Sequence, residues 1–265
     1  MVTAVAIVCV RNEAPHIKRC LRYFIREGLD VILIDNDSTD GSADIARPFL
    51  GQGLISIERL PFEGSFSLVQ QLAFKKTIAE GVTHDWIVHA DADEWLQAPP
   101  GYARLIDGIQ DVESQGFNCV NFLEFDFIPL PGEDFEVEDY PSVMRHYYHL
   151  VPFYPFLMRA WKRSAELDNV ERAGHFLTGP DIRLFPRDFI LRHYIVLSEA
   201  HARRKYLGRR FAAEEIARLW HADHLLIDEE NIVPRPGTPL LTLEYPLSSP
   251  LSTDRPTTIH YWQWP

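Results

Sequence analysis

Three short apolar runs, Ala4 to Val10, Val31 to Ile34 and Trp86 to His89, each pass straight into a polar cluster, and this repeat constrains the chain more than any other feature. Runs of this kind, apolar on successive residues, suit strands buried on both faces. Between the first two, Ala14 to Arg26 places Ile17, Leu21, Phe24 and Ile25 at helical spacing, which gives a βαβ unit. Ser42 is a natural N-cap for a helix through Ala43 to Phe49. Leu54 to Ile57 reads as the next strand and Phe66 to Ala79 as an amphipathic helix stopped by Gly81. The alternation predicts an α/β fold with a mostly parallel sheet flanked by helices. In such a sheet, ligands bind outside the carboxyl ends of the strands.

After Asp93 the text changes. A helix is expected over about Tyr102 to Gln115, followed by a strand over Phe117 to Ile128 with Glu124 and Asp126 on its polar face. Pro129 to Pro155, rich in proline, acids and aromatics, reads as a long functional loop. Phe156 to Lys162 and Ile182 to Phe185 read as strands, Ala200 to Leu219 as one basic then amphipathic helix, and 228–265 as a Pro-rich tail packed on the body. The expected organisation is one domain over 1–227, with halves 1–98 and 99–227, plus that tail. Lys and Arg number 26 against 38 Asp and Glu, a formal net charge of −12, which argues against a nucleic-acid binder. Cys9, Cys20 and Cys119 are widely spaced and odd in number, so neither a disulfide framework nor a structural zinc is expected. The opening apolar stretch is too short to span a membrane, and no later segment reaches that length, so a cytoplasmic location is the expectation.

Asp91 and Asp93 leave the third apolar run together, and two carboxylates one residue apart can both reach a hard divalent cation that bridges phosphate oxygens. Asp-x-Asp alone is common. Here it follows Arg11-Asn12-Glu13 after the first strand and Asp35-Asn36-Asp37-Ser38-Thr39-Asp40-Gly41 after the second. With these three clusters, completed by Glu94 and Trp95, the chain resembles the family 2-like glycosyltransferases of the GT-A fold, in the branch with an Arg-Asn-Glu start and an Asp-x-Asp-Glu-aromatic motif. The resemblance covers about the first hundred residues, with a weaker echo near His193.

The resemblance implies a GT-A-like fold and a metal-dependent enzyme that moves a sugar from a nucleotide-diphosphate sugar to a small-molecule, lipid-linked or peptide acceptor. It places Arg11, Glu13 and Asp35 near the nucleoside, and gives Asp91 and Asp93 to the ribose and to Mn²⁺ or Mg²⁺. A late histidine, His193, would complete the metal shell and tilt the choice toward Mn²⁺. Arg203 and Lys205, in a cluster with Arg204, Arg209 and Arg210, would hold the leaving diphosphate. An acceptor base is also needed; the candidates are Glu124, Asp126, Asp168, Glu171 and Asp181, of which Asp181 and Glu171 are preferred. The nucleotide-binding half would be 1–98 and the acceptor side 99–227, with room left for a homo-oligomer. The rival readings are a nucleotidyltransferase, disfavoured because Arg11-Asn12-Glu13-Ala14-Pro15 is no glycine-rich phosphate loop, and a non-catalytic sugar-nucleotide-binding scaffold.

Overall fold

A computed structural model describes residues 1–235 and 237–264. Pro236 and Pro265, which fall in the expected tail, lie outside the described residues. In chain order the elements are β1 (Ala4–Val10), α1 (Ala14–Arg26), β2 (Asp30–Asp35), α2 (Ser42–Ala46), β3 (Leu54–Arg59), α3 (Leu68–Gly81), β4 (Trp86–Ala90), β5 (Glu94–Gln97), α4 (Leu105–Ser114), β6 (Cys119–Phe127), β7 (His146–Leu150), β8 (Leu157–Lys162), β9 (Phe189–Tyr194), α5 (Glu199–Tyr206), α6 (Ala213–Ala217) and β10 (Leu241–Thr242). The chain divides into two compact units. The first contains Met1–Glu63, Leu68–Leu123 and Pro155–Leu191; the second contains Gly64–Ser67, Glu124–Tyr154 and the chain from Arg192 onward.

The first unit carries the expected α/β arrangement. Its strands run in the order β8-β4-β1-β2-β3, with β4, β1, β2 and β3 parallel and β8 antiparallel to β4. All seven residues of β1 are buried, as a central strand covered on both faces requires. Val5, Ile7 and Cys9 share one face with Ile32, Ile34 and Ile87, and Phe74 and Ile78 of α3 pack over them. On α1, Ile17, Leu21 and Phe24 are fully buried, and the helix packs on β2. Pro15 in its first turn suits a helix start, where no N–H partner is needed. The three cysteines are buried and free. Burial pushes the Cys9 and Cys119 thiols up to about 12 and Cys20 well above its ordinary value.

In the second unit, β6 from Glu124 onward pairs antiparallel with β7, which pairs antiparallel with β10. The expected loop 129–155 therefore holds a strand, because the run His146-Tyr147-Tyr148-His149-Leu150 is β-prone once the prolines fall outside it. The expected helix over 200–219 is two helices, broken where Gly208 takes a positive φ of 76°. Ser198 caps the first of them by accepting from the His201 N–H at 2.9 Å. Near the chain end, Tyr261 and Trp262 are buried, the Tyr261 hydroxyl donates to Ile232 O at 2.8 Å, and Val151 N donates to Thr257 O. Ile182 to Phe185, in the first unit, is not a strand and makes a single bridge from Leu184 to Cys119. Asn118 N donates to Arg183 O at 3.0 Å and Phe185 N to Cys119 O at 2.9 Å, while the Asn118 side chain accepts from Arg183 N at 2.8 Å and donates to Asp181 O at 2.6 Å.

His89 of β4 is buried in the first unit and accepts at Nδ1 from the Asn169 amide at 2.8 Å. A Cβ on Gly174 would lie 2.9 Å from its Cε1, so the ring is tightly held. Burial, aided by Lys75, Arg159 and His175, keeps its pKa well below the ordinary value. The folded state thus resists a proton that the unfolded chain accepts below about pH 6.5. Stability should fall as pH drops from 7 to 5, by up to about 1.4 kcal/mol per pH unit below the unfolded pKa for this one group. Denaturant titrations of wild type and His89→Gln at several pH values should show the shallower slope in the variant; equal slopes would show that His89 protonates in the fold.

Candidate active site

Register brings the three polar clusters together. β1 lies between β2 and β4, with Val10 opposite Asp35 and Val8 opposite Ala90, so the chain leaves three neighbouring strands at the same end of the sheet. The first two loops are then stitched to each other. Asn12 Oδ1 accepts from Thr39 N at 2.7 Å, and Ser38 Oγ accepts from Asn12 N at 3.0 Å. Ser42 Oγ accepts from Glu13 N, while Asp40 accepts from Ala14 N, Ser42 N and the Ser42 hydroxyl. Asn12 and Asp37 sit at positive φ, 59° and 53°, a region that Asn and Asp tolerate better than most side chains.

Arg11 reaches across this seam and donates to the carbonyls of Asn36 and Asp37, both at 2.6 Å. Its guanidinium lies 3.3 Å from the Phe62 ring centroid. Asp37 in turn accepts from Arg59 at 2.6 Å and from Phe62 N at 2.9 Å, and the Arg59 hydrogen bond holds its carboxyl below the usual carboxylate range. Asp35 accepts from Ser38 N, three residues on, at 3.1 Å, and so helps to shape its own loop. Glu13 opens α1, its carbonyl accepting from His16 N and Ile17 N.

The third cluster is a tight turn between β4 and β5. Glu94 Oε2 accepts from Asp91 N at 3.0 Å and Glu94 N donates to Asp91 O at 3.2 Å, which folds the two acids back on each other. Glu94 is buried, and Arg159 of β8 donates to it at 2.7 Å. The Asp91 side chain is 44% exposed, with Lys75 Nζ at 3.4 Å and Arg159 Nη2 at 3.8 Å. Asp93 is buried at 6%. The turn thus presents the Asp91 carboxylate beside two fixed cations, with Asp93 buried two residues on. Sequence reasoning did not single out Lys75 or Arg159. Lys75 lies three residues after buried Leu72 on α3, and Arg159 interrupts an apolar strand; both are charged residues at buried positions, and that was the available signal.

The other candidate residues are placed as follows. Glu171 and Asp181 are exposed in the first unit, and Asp181 pairs with Arg183 at 3.2 Å. In the second unit, Arg203 pairs with Glu199 at 2.8 Å and with Glu229, and Lys205 Nζ donates to Ile195 O at 2.9 Å. Arg204 pairs with Glu136. The basic cluster is therefore spread over acids and carbonyls of its own unit. His193 Nδ1 lies 2.9 Å from Glu124 Oε1 and 3.0 Å from Asp126 Oδ1, two acids buried on β6. Burial and the neighbouring Asp126 hold the Glu124 carboxyl above its ordinary value. At Asp126 burial acts in the same upward direction, but His193 and His260 outweigh it and hold that carboxyl low.

No curated protein matches the chain. Among solved structures it is similar to S. aureus TarS 1-349, at 11% identity over 87% of this chain and 68% of that one, with a TM-score of 0.45. It is also similar to TarS 1-349 in complex with UDP-GlcNAc, at 10% identity over 86% and 77% of the two chains, with a TM-score of 0.42. The profile of Glycosyl transferase family 2 matches residues 5–126, which include all three polar clusters and the strands that carry them. The likeness to Glycosyl transferase family 2 is thus confined to residues 5–126.

Proposed function

We propose that the chain transfers a glycosyl group from a nucleoside-diphosphate sugar to an acceptor, with Mn²⁺ or Mg²⁺ held at the Asp91 and Asp93 turn. The observation that carries this reading is the register of three polar clusters on adjacent parallel strands, inside the segment that matches the family. The stitched loops form the nucleoside side, where Asp35 and Glu13 meet base and ribose. Arg11, engaged by two carbonyls and Phe62, shapes that wall rather than reaching out from it.

The acidic turn suits a cation shared with a diphosphate. Its two carboxylates are hard oxygen donors, and Mg²⁺ or Mn²⁺ commonly takes one or two such groups and fills its shell with phosphate oxygens and water. Bound there, the ion supplies charge neutralisation for the departing diphosphate. Lys75 and Arg159, held beside Asp91, add fixed positive charge that needs no rearrangement during transfer. For Arg203 and Lys205 to hold the diphosphate, they would exchange Glu199, Glu229 and the Ile195 carbonyl for phosphate oxygens. Glu171 or Asp181 would take the acceptor proton, a role their exposure permits. The protein would work in the cytoplasm. No helix among the described residues is long and apolar enough to cross a membrane.

Calorimetry with UDP, ADP and GDP, each with Mn²⁺ and with chelator, tests the donor site. One nucleotide should bind more tightly with metal, and Asp93→Asn should abolish the difference; equal affinity with metal and chelator would overturn the metal assignment. Asp35→Ala should weaken that nucleotide by about 1.5–3 kcal/mol, the range for a charge-assisted hydrogen bond, while leaving the thermal midpoint near wild type. An unchanged dissociation constant would reduce Asp35 to shaping its own loop. Transfer assays with Lys75→Met should show a fall of at least tenfold in kcat if this cation steadies the leaving group, whereas an effect confined to KM would assign it to ground-state binding.

A further inference from the structure

The second unit holds a group of side chains that the donor site does not use. Glu124 and Asp126 are two residues apart on β6 and so face the same side of that strand. Both are buried, and His193 of β9 points one nitrogen at both. Two carboxylates taken out of water demand positive charge close by. The hydrogen bond from His193 Nδ1 goes to Glu124. Asp126, with both oxygens sealed from solvent, has His193 Nδ1 at 3.0 Å and His260 Nδ1 at 3.5 Å.

The spacing also fits a metal. Donor atoms bonded at about 2.1 Å and at right angles lie about 3.0 Å apart, as along the edge of an octahedral shell. The contacts from His193 Nδ1 to the two carboxylates are 2.9 and 3.0 Å. One donor atom from each of the three residues falls within a cluster small enough for a single ion. The His193 side chain keeps 21% of its surface exposed, which gives an ion a way in. Behind it, His260 Nδ1 lies 3.5 Å from Asp126 Oδ2 and 3.0 Å from the Tyr148 hydroxyl, with its ring stacked on Trp262 at 4.3 Å. That is the outer support a metal-bound carboxylate usually has.

We propose that Glu124, Asp126 and His193 form a divalent-cation site of the second unit, sharing no residue with the Asp91 and Asp93 turn. One imidazole with two carboxylates selects Mn²⁺ or Zn²⁺ over Mg²⁺ and Ca²⁺, which favour all-oxygen shells. On binding, His193 holds its proton at Nε2 and gives Nδ1 to the ion, or releases that proton to water if the ring was charged. The ion then fastens β6 to β9 and, through His260 and Tyr148, to the last turn of the chain. The proposal stands whether or not the donor-site reading does.

Pulsed electron paramagnetic resonance on the 265-residue, chelator-stripped chain with added Mn²⁺ tests this directly, because a coordinated imidazole gives a ¹⁴N coupling that an all-carboxylate site does not. Wild type should show the coupling, Asp91→Asn/Asp93→Asn should keep it, and His193→Gln should lose it. Absence of ¹⁴N coupling in wild type at millimolar Mn²⁺ would overturn the proposal. So would its loss in the double aspartate variant or its survival in His193→Gln. Glu124→Gln should weaken Mn²⁺ binding at this site at least tenfold, and unchanged affinity in a folded Glu124→Gln would count against it. Should that variant fail to fold, the wild-type spectrum still decides.

Discussion

The ion pair between Arg159 and Glu94 holds the acidic turn in shape. Their side chains are 7% and 2% exposed and 2.7 Å apart, and removing either partner of such a buried pair typically costs about 3–5 kcal/mol because the other charge is left without a counterion. Arg159 comes from β8, the antiparallel neighbour of β4. Glu94 passes the constraint on by accepting from Asp91 N, so the direction of Asp91 is set by an arginine far away in sequence. The parallel sheet brings the turn to the right end, and β8 fixes how it is presented.

A similar division of labour appears at the first two loops. Their acids are mostly occupied: Asp40 and Asp37 bind backbone and side chains, and Asp35 accepts from Ser38 N. A polar cluster at a strand end is therefore first a device for shaping a loop, and only what remains is offered to a ligand. The positive charge beside the acidic turn comes from Lys75 and Arg159, whereas the arginines of α5 are largely matched by acids within the second unit.

The strands β1, β2 and β4 were legible because each is an apolar run ending in turn formers, a signal that depends only on local sequence. Helix α1 was legible from the helical spacing of Ile17, Leu21, Phe24 and Ile25. The segment 182–185 misled because its alternation looks like a strand, while its pairing with residues more than sixty positions earlier is cut short where the Asn118 side chain takes Arg183 N. Strand β7 was hidden among prolines and aromatics. His193 stood out in the sequence, but the acids that meet it lie on another strand, and nothing in the spacing from 124 to 193 announces that contact. Propensity reads single elements well; pairings across long separations are decided by the packed whole.

The burial of the three cysteines has a practical consequence. With Cys9 and Cys119 held near 12, and Cys20 also raised, almost no thiolate exists at neutral pH while the first unit is closed. All three lie in that unit and none in the other. Alkylation by a thiol reagent therefore becomes a clock for openings of the first unit alone: Cys20 on α1 times the loosening of that helix, and Cys9 on the central strand times rupture of the sheet. The same silence leaves the exposed surface of the native chain free for one introduced cysteine to carry a spectroscopic label without competition.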